Sequence, residues 1–122
     1  MIYMLITHLD EKAWQSLGEA EQQRLMAEPM AHVERLRASG KFLGGAPLEP
    51  SPTGAIIRVR DGQRVITDGP YAETREQVGG YTLIDAKDRE EAIAIAAGFM
   101  GPSSIATIEV RAVAAAKGVP TH

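Results

Sequence analysis

The chain of 122 residues contains no cysteine. That excludes disulfides, thiolate-held metals and a cysteine nucleophile, and it suits a reducing compartment. No excess of one charge is present: 13 basic residues stand against 16 acidic ones, a net charge of −3 spread along the sequence. With no basic stripe, nucleic acid is not an expected partner; with no charge block, neither is a tail for a charged one. No apolar run approaches the length of a membrane span. The opening residues MIYMLITHLDE lack the basic start and long apolar core of a signal peptide. No repeat, linker or low-complexity stretch interrupts the chain. These absences predict a cytoplasmic protein with one domain at 1–113 and a flexible tail at 114–122, without membrane contact.

What is present is a mixed pattern. IYMLITH alternates Ile2, Met4, Ile6 and His8 on one face with Tyr3, Leu5 and Thr7 on the other, so a strand covered on both sides is expected. Ser16 and Glu19 have capping-box spacing. A helix is predicted from there to about Ser39, with an apolar stripe of Leu25, Met26, Met30, Val33 and Leu36, a kink or break near Ala27–Glu28 before Pro29, and a stop at Gly40. Strands follow at 41–50, 55–60, 63–67, 79–85 and 104–113. A helix opens at Asp88, with Glu91 three positions on. The order predicts an α+β domain with two helices on one face of an antiparallel sheet. A second copy is the simplest cover for the other apolar face, giving a homodimer.

Two Asp-Gly pairs stand close together. Asp61-Gly62 joins 55–60 to 63–67 as a tight hairpin turn. Asp68-Gly69 is followed by Pro70, which cannot continue a ladder. The second pair therefore reads as a rigid corner: Gly69 supplies an unusual backbone angle, Pro70 locks the next, and Asp68 accepts from nearby amides.

LGGAPLEP, ITDGPYAETREQVGGYTLID and IEVRAV, with IYMLI and LRASGKFLGGAPL, resemble the DGPF branch of the YCII-related proteins across residues 1–113. The resemblance implies a ferredoxin-like, dimeric α+β barrel. It also implies a His–Asp dyad in a pocket, one member type being a dehydrochlorinase on a chlorinated aromatic, and an association with sigma-factor-like regulators. His32 matches the dyad histidine. The family's acid follows the second helix, where this chain reads GFMGPSSIAT and has no Asp; Asp68 is the candidate replacement.

The expected catalytic pair is therefore His32, at the rim of its helix stripe, with Asp68. Glu73, Tyr71, Tyr81 and His8 are the expected substrate contacts. Arg75 and Glu76 read as solvated charges, and His122 belongs to the tail. No metal is expected, since the histidines are far apart in sequence and none forms an i, i+4 pair; no cofactor is expected either, as Gly44-Gly45 and Gly79-Gly80 lack the strand–GxGxxG–helix setting of a nucleotide cradle. Gly79-Gly80 instead suggests a bulge or close packing. Two functions fit. One is a small enzyme of lyase or hydrolase type that moves a proton on a small organic ligand. The other is a non-catalytic ligand-binding or protein-interaction module linked to transcription regulation.

Overall fold

The computed structural model describes residues 1–114; residues 115–122, the greater part of the expected tail, and His122 with them, lie outside the described residues. Strand β1 (Ile2–Leu9) is followed by a short helix α1 (Glu11–Gln15), a long helix α2 (Glu19–Ala38) and β2 (Phe42–Pro47). A 3-10 turn (Ser51–Thr53) leads into the hairpin β3 (Ala55–Arg60) and β4 (Gln63–Asp68). Then come β5 (Gln77–Asp85), α3 (Arg89–Ala97) and β6 (Ala106–Ala112). Four strands form an antiparallel sheet in the order β2-β5-β1-β6, and β3-β4 form a separate two-stranded sheet. The α+β class expected from the sequence is what the chain adopts.

The alternation in β1 decides which face is buried. Tyr3 and Leu5 stand beside Ile84 and Thr82 of β5 and beside Ala112 and Val110 of β6. Leu36 of α2 and Ala92, Ile95 and Ala96 of α3 close over that row, and Leu5 and Ile84 are almost wholly buried. Each such Leu or Ile stabilises the fold by roughly 1.5–3 kcal/mol. The opposite row, Met4 and Ile6 with Leu83 and Tyr81, receives no helix and is only half-buried.

Several local expectations hold. Asp61 and Gly62 both have positive φ, 52° and 74°, which gives the two-residue hairpin turn the twist its strands need. Asp88 caps α3 by accepting from Glu91 N at 2.8 Å. Gly40, at φ 76°, ends α2, with Lys41 N donating to Leu36 O and Gly40 N to Arg37 O, a closed C-terminal cap. Gly79 is the extra residue of a bulge, because Thr7 pairs with Gly80 and His8 with Val78.

Two expectations are corrected. Ser16 does not start the long helix; it ends α1, donating through Oγ to Ala13 O. Asp10 caps α1 instead, accepting from Ala13 N at 3.0 Å. Helix α2 also runs through Pro29 without the break that is one of the two outcomes expected there. Proline removes a single hydrogen bond, at a cost of about 3 kcal/mol, and a helix of 20 residues packed at Leu36 carries that loss. The expected stripe holds at Leu25, Val33 and Leu36, which are partly or wholly covered together with Pro29 and His32, but not at Met26 and Met30, which are 38% and 62% exposed.

Candidate functional site

His32 sits between the two large helices. Its Nε2 lies 2.8 Å from the carbonyl oxygen of Ile95, and its Nδ1 lies 3.2 Å from a terminal nitrogen of Arg35. A carbonyl and a guanidinium leave one arrangement: Nε2 carries the proton and donates, and Nδ1 accepts from Arg35. The ring also meets Phe99 edge-on, with centroids 4.6 Å apart. Both nitrogens are thus occupied on the helix side of the sheet.

Asp68 is elsewhere. It ends β4 opposite Ala55, exposed, and makes no hydrogen bond to His32 or to a nearby amide. The expected His32–Asp68 contact is not formed within the protomer, and neither residue lines the open cleft at the end of the β1–β5 ladder. The physical reason is topological: α2 covers the Tyr3–Leu5 face, while the hairpin leaves the main sheet altogether.

The corner at Asp68-Gly69-Pro70 has a different basis from the one its sequence suggested. Gly69 does not have a positive φ. Its Cα instead presses against the carbonyl of Ser51, so that a Cβ would collide with Ser51 O, and its amide donates to Gly54 O at 2.8 Å. The Gly69–Pro70 peptide is cis. Ser51 is itself fixed by Glu11, which accepts from Ser51 N at 2.7 Å and from Ser51 Oγ at 2.5 Å. The glycine is a close-approach residue, and the corner pins the 3-10 turn to the hairpin.

This docking leaves an open cleft of about 1220 Å³ between the end of the β1–β5 ladder, the 48–56 segment and the 70–78 segment. Its apolar wall includes Leu48, Ile56, Tyr71, Val78 and Ile105; its polar groups include His8, Asp10, Arg75 and Glu76. Of the expected contacts, His8 and Tyr71 line the cleft. Glu73 and Tyr81 do not: Glu73 is exposed, and Tyr81 stands beside Ile6 on the open sheet face.

Three residues of the site escaped the sequence reading. Arg75 Nε donates to Asp10 Oδ2 at 3.2 Å. The Ala13 amide, and then the Arg75 guanidinium, hold the Asp10 carboxyl below the usual aspartate range. Glu109 Oε1 lies 2.9 Å from His8 Nε2, on β6 beside β1. Asp10 was legible as a helix cap just before Glu11. Nothing local marks the other two, since each contact joins residues more than sixty positions apart.

The 70–77 segment is tied internally. Gln77 Nε2 donates to the carbonyls of Ala72 and Thr74, at 2.8 and 3.1 Å. Arg58 lies over the Tyr71 ring, 5.4 Å from its centroid, a cation–π arrangement at an exposed site. His8, His32 and Asp68 do not converge, and no three His, Asp or Glu side chains cluster as metal ligands among the described residues. No helix of the described chain is long and apolar enough to cross a membrane.

The model of the YCII-related domain matches residues 1–117. An uncharacterized protein of Rhizobium meliloti (strain 1021) is 32% identical over 93 residues, which cover 76% of this chain and 75% of that protein.

Proposed function

The chain belongs to the YCII-related family, and from that premise we propose that it is a small-molecule-binding protein that works as a homodimer, holding an organic ligand in the cleft bounded by Tyr71, Ile56 and His8. The observation that carries the reading is the docking of Gly69 on Ser51, which holds the cleft open beside a sheet face that no helix covers.

The subunit is ferredoxin-like in this reading, with β1-α2-β2 and β5-α3-β6 as its halves and β3-β4 as an insertion. The open face, with Met4, Ile6, Tyr81 and Leu83, meets its equivalent in a second copy to form the dimeric α+β barrel. An apolar sheet face needs such a layer to leave water, and the cysteine-free chain fits a cytoplasmic setting.

The second reading, a protein-interaction module, draws on the hairpin: Ile57, Val59 and Ile66 are 64%, 71% and 68% exposed. Regulation of transcription through such a contact belongs to this alternative.

The decisive experiment combines oligomeric state with a ligand screen. Light scattering is expected to give a dimer for the wild type and a monomer for Ile6→Lys. Small aromatic and acidic compounds are expected to raise the melting temperature of the wild type. Ile56→Asp, with a charge set in the apolar wall, abolishes that gain. A monomeric wild type refutes the barrel; a screen in which no compound protects refutes the ligand site. Protection retained in Ile56→Asp moves the site away from this cleft.

A further inference from the structure

His8 is the histidine that lines the cleft, and its setting differs from that of His32. It stands on the open face in the row of Met4 and Ile6, where the bulge at Gly79 changes the pairing between Thr7 and His8. Bulges turn a side chain away from the regular ladder, and they gather beside functional sites. Glu109 pairs with Ile6 in the register of β1 with β6, so it is the diagonal neighbour of His8 on the same face. Its Oε1 meets His8 Nε2 at 2.9 Å, and its Oε2 lies 3.8 Å from Arg111 Nε. Both partners are on strands of one sheet, which fixes their separation more firmly than loops would.

The carboxylate decides the tautomer. An ionised Glu109 only accepts, so a neutral His8 keeps its proton on Nε2 and leaves Nδ1 as the basic nitrogen. No described residue bonds to Nδ1. A carboxylate behind an imidazole orients the ring and stabilises the imidazolium that forms when the free nitrogen takes a proton.

Arg75 supplies a second feature. It is the only Lys or Arg among the described residues lining the cleft. Its Nε is held by Asp10, which is itself tied to Ala13 N, and no described residue bonds to its two terminal nitrogens. A guanidinium held in this way matches a ligand carboxylate. The other charges at the cleft are Asp10, Glu49 and Glu76, the last accepting from Thr107 Oγ1 at 3.2 Å. An anionic group therefore has one place to bind, at Arg75. The wall of Leu48, Ile56, Tyr71 and Val78 suits a flat apolar body.

We infer that the cleft takes a small aromatic carboxylate bearing a weakly acidic hydroxyl, that Arg75 binds its carboxylate, and that His8, oriented by Glu109, accepts the hydroxyl proton. In this step the ligand O–H bond breaks, its electron pair stays on oxygen, and the proton bonds to Nδ1 of His8. The products are a phenolate and an imidazolium paired with Glu109. The inference rests on the cleft being the ligand site, and it assigns that site its ligand class and its proton acceptor. His8 is the catalytic residue of this scheme; Glu109 is a positioning residue.

The probe is 4-hydroxy-3-nitrobenzoate, whose phenolate absorbs visible light and whose phenol does not, studied at a pH where the free compound is partly ionised. Calorimetry reads binding and the visible band reads where the proton is. Wild type is expected to bind the compound and enlarge its phenolate band. His8→Gln should show no enlargement, since the proton acceptor is gone, while weakened binding through Arg75 and the apolar wall stays measurable. Glu109→Gln should give a smaller enlargement. Arg75→Leu should weaken binding about tenfold, the loss of one charge-assisted contact. An enlargement that persists in His8→Gln, or binding to wild type with no enlargement, overturns the proton-transfer assignment and leaves the cleft standing as a ligand site. Failure of wild type to bind overturns the aromatic-acid assignment, while the cleft reading falls only if the wider screen also finds no protecting compound. Should His8→Gln not fold, Glu109→Gln carries the same test: an undiminished band there refutes the orienting role.

Discussion

Gly98 and His32 are fitted to each other: a Cβ on Gly98 would collide with both Cε1 and Nε2 of the imidazole ring. The ring cannot swing aside freely, because Ile95 O, Arg35 and Phe99 hold it. Gly98→Ala should therefore destabilise the protein by about 1–3 kcal/mol, the usual cost of overpacking. His32→Ala should cost on the order of 1–2 kcal/mol through the lost hydrogen bond and ring contact. The Gly98→Ala/His32→Ala double variant should be clearly less destabilised than the sum of the two. Urea unfolding in a double-mutant cycle measures the coupling; strict additivity would separate the two residues. Ligand protection at the cleft should survive all three changes.

Gly69→Ala should act on the cleft. The atom in the way is backbone, Ser51 O, and backbone cannot yield as a side chain end can. The corner should release the 3-10 turn, lowering stability by roughly 2 kcal/mol or more and removing ligand protection. Gly101→Ala is the control, since a Cβ there meets nothing within 4 Å; its effect should stay within about 0.5 kcal/mol. Equal effects for the two variants would refute the close-approach account.

The hairpin turn gives a local prediction. Gly62→Ala places a side chain at φ 74°, where L-residues are disfavoured, and should cost about 1 kcal/mol. Amide exchange should quicken across Ala55–Asp68 and remain slow in β1 and β5. Faster exchange throughout the main sheet would contradict the separation of the two sheets.

Acid should loosen two named contacts. The Ala13 amide and Arg75 depress the Asp10 carboxyl, and Lys41, followed by the Lys87 amide, depresses the Glu91 carboxyl. A carboxyl depressed in the folded state binds protons more readily when unfolded. The stability from each is present above the unfolded carboxylate range and fades as pH falls through the lowered folded value. Both groups are half-buried and still reached by solvent, so screening should keep each step small. Asp10→Asn keeps the cap but loses the charge on Arg75, so its acid limb should be shallower than that of wild type. A variant profile that overlays wild type would remove Asp10 from the account.

How far the sequence could be read depends on the range of each interaction. The hairpin turn at Asp61-Gly62, the Asp88 cap, the Gly40 stop and the alternation in β1 each depend on neighbours a few positions apart, and all were legible. The inward placement of His32 was not. Helix periodicity gives a stripe, but the Ile95 carbonyl and the Gly98 gap that receive the ring come from a helix about sixty residues later. Gly69 was marked as special by its sequence, yet for a turn angle; its actual constraint is the Ser51 carbonyl, which local pattern cannot announce.

The sequence by itself determined the order of elements and the two faces of β1, because side-chain alternation and turn chemistry are local. Only the tertiary structure decided which histidine borders the cleft. The register of β1 with β6 brings Glu109 to His8, and the docking of α2 on α3 closes around His32. Pairings between distant strands and helices are set by how the whole core closes, so no short stretch of the chain encodes them.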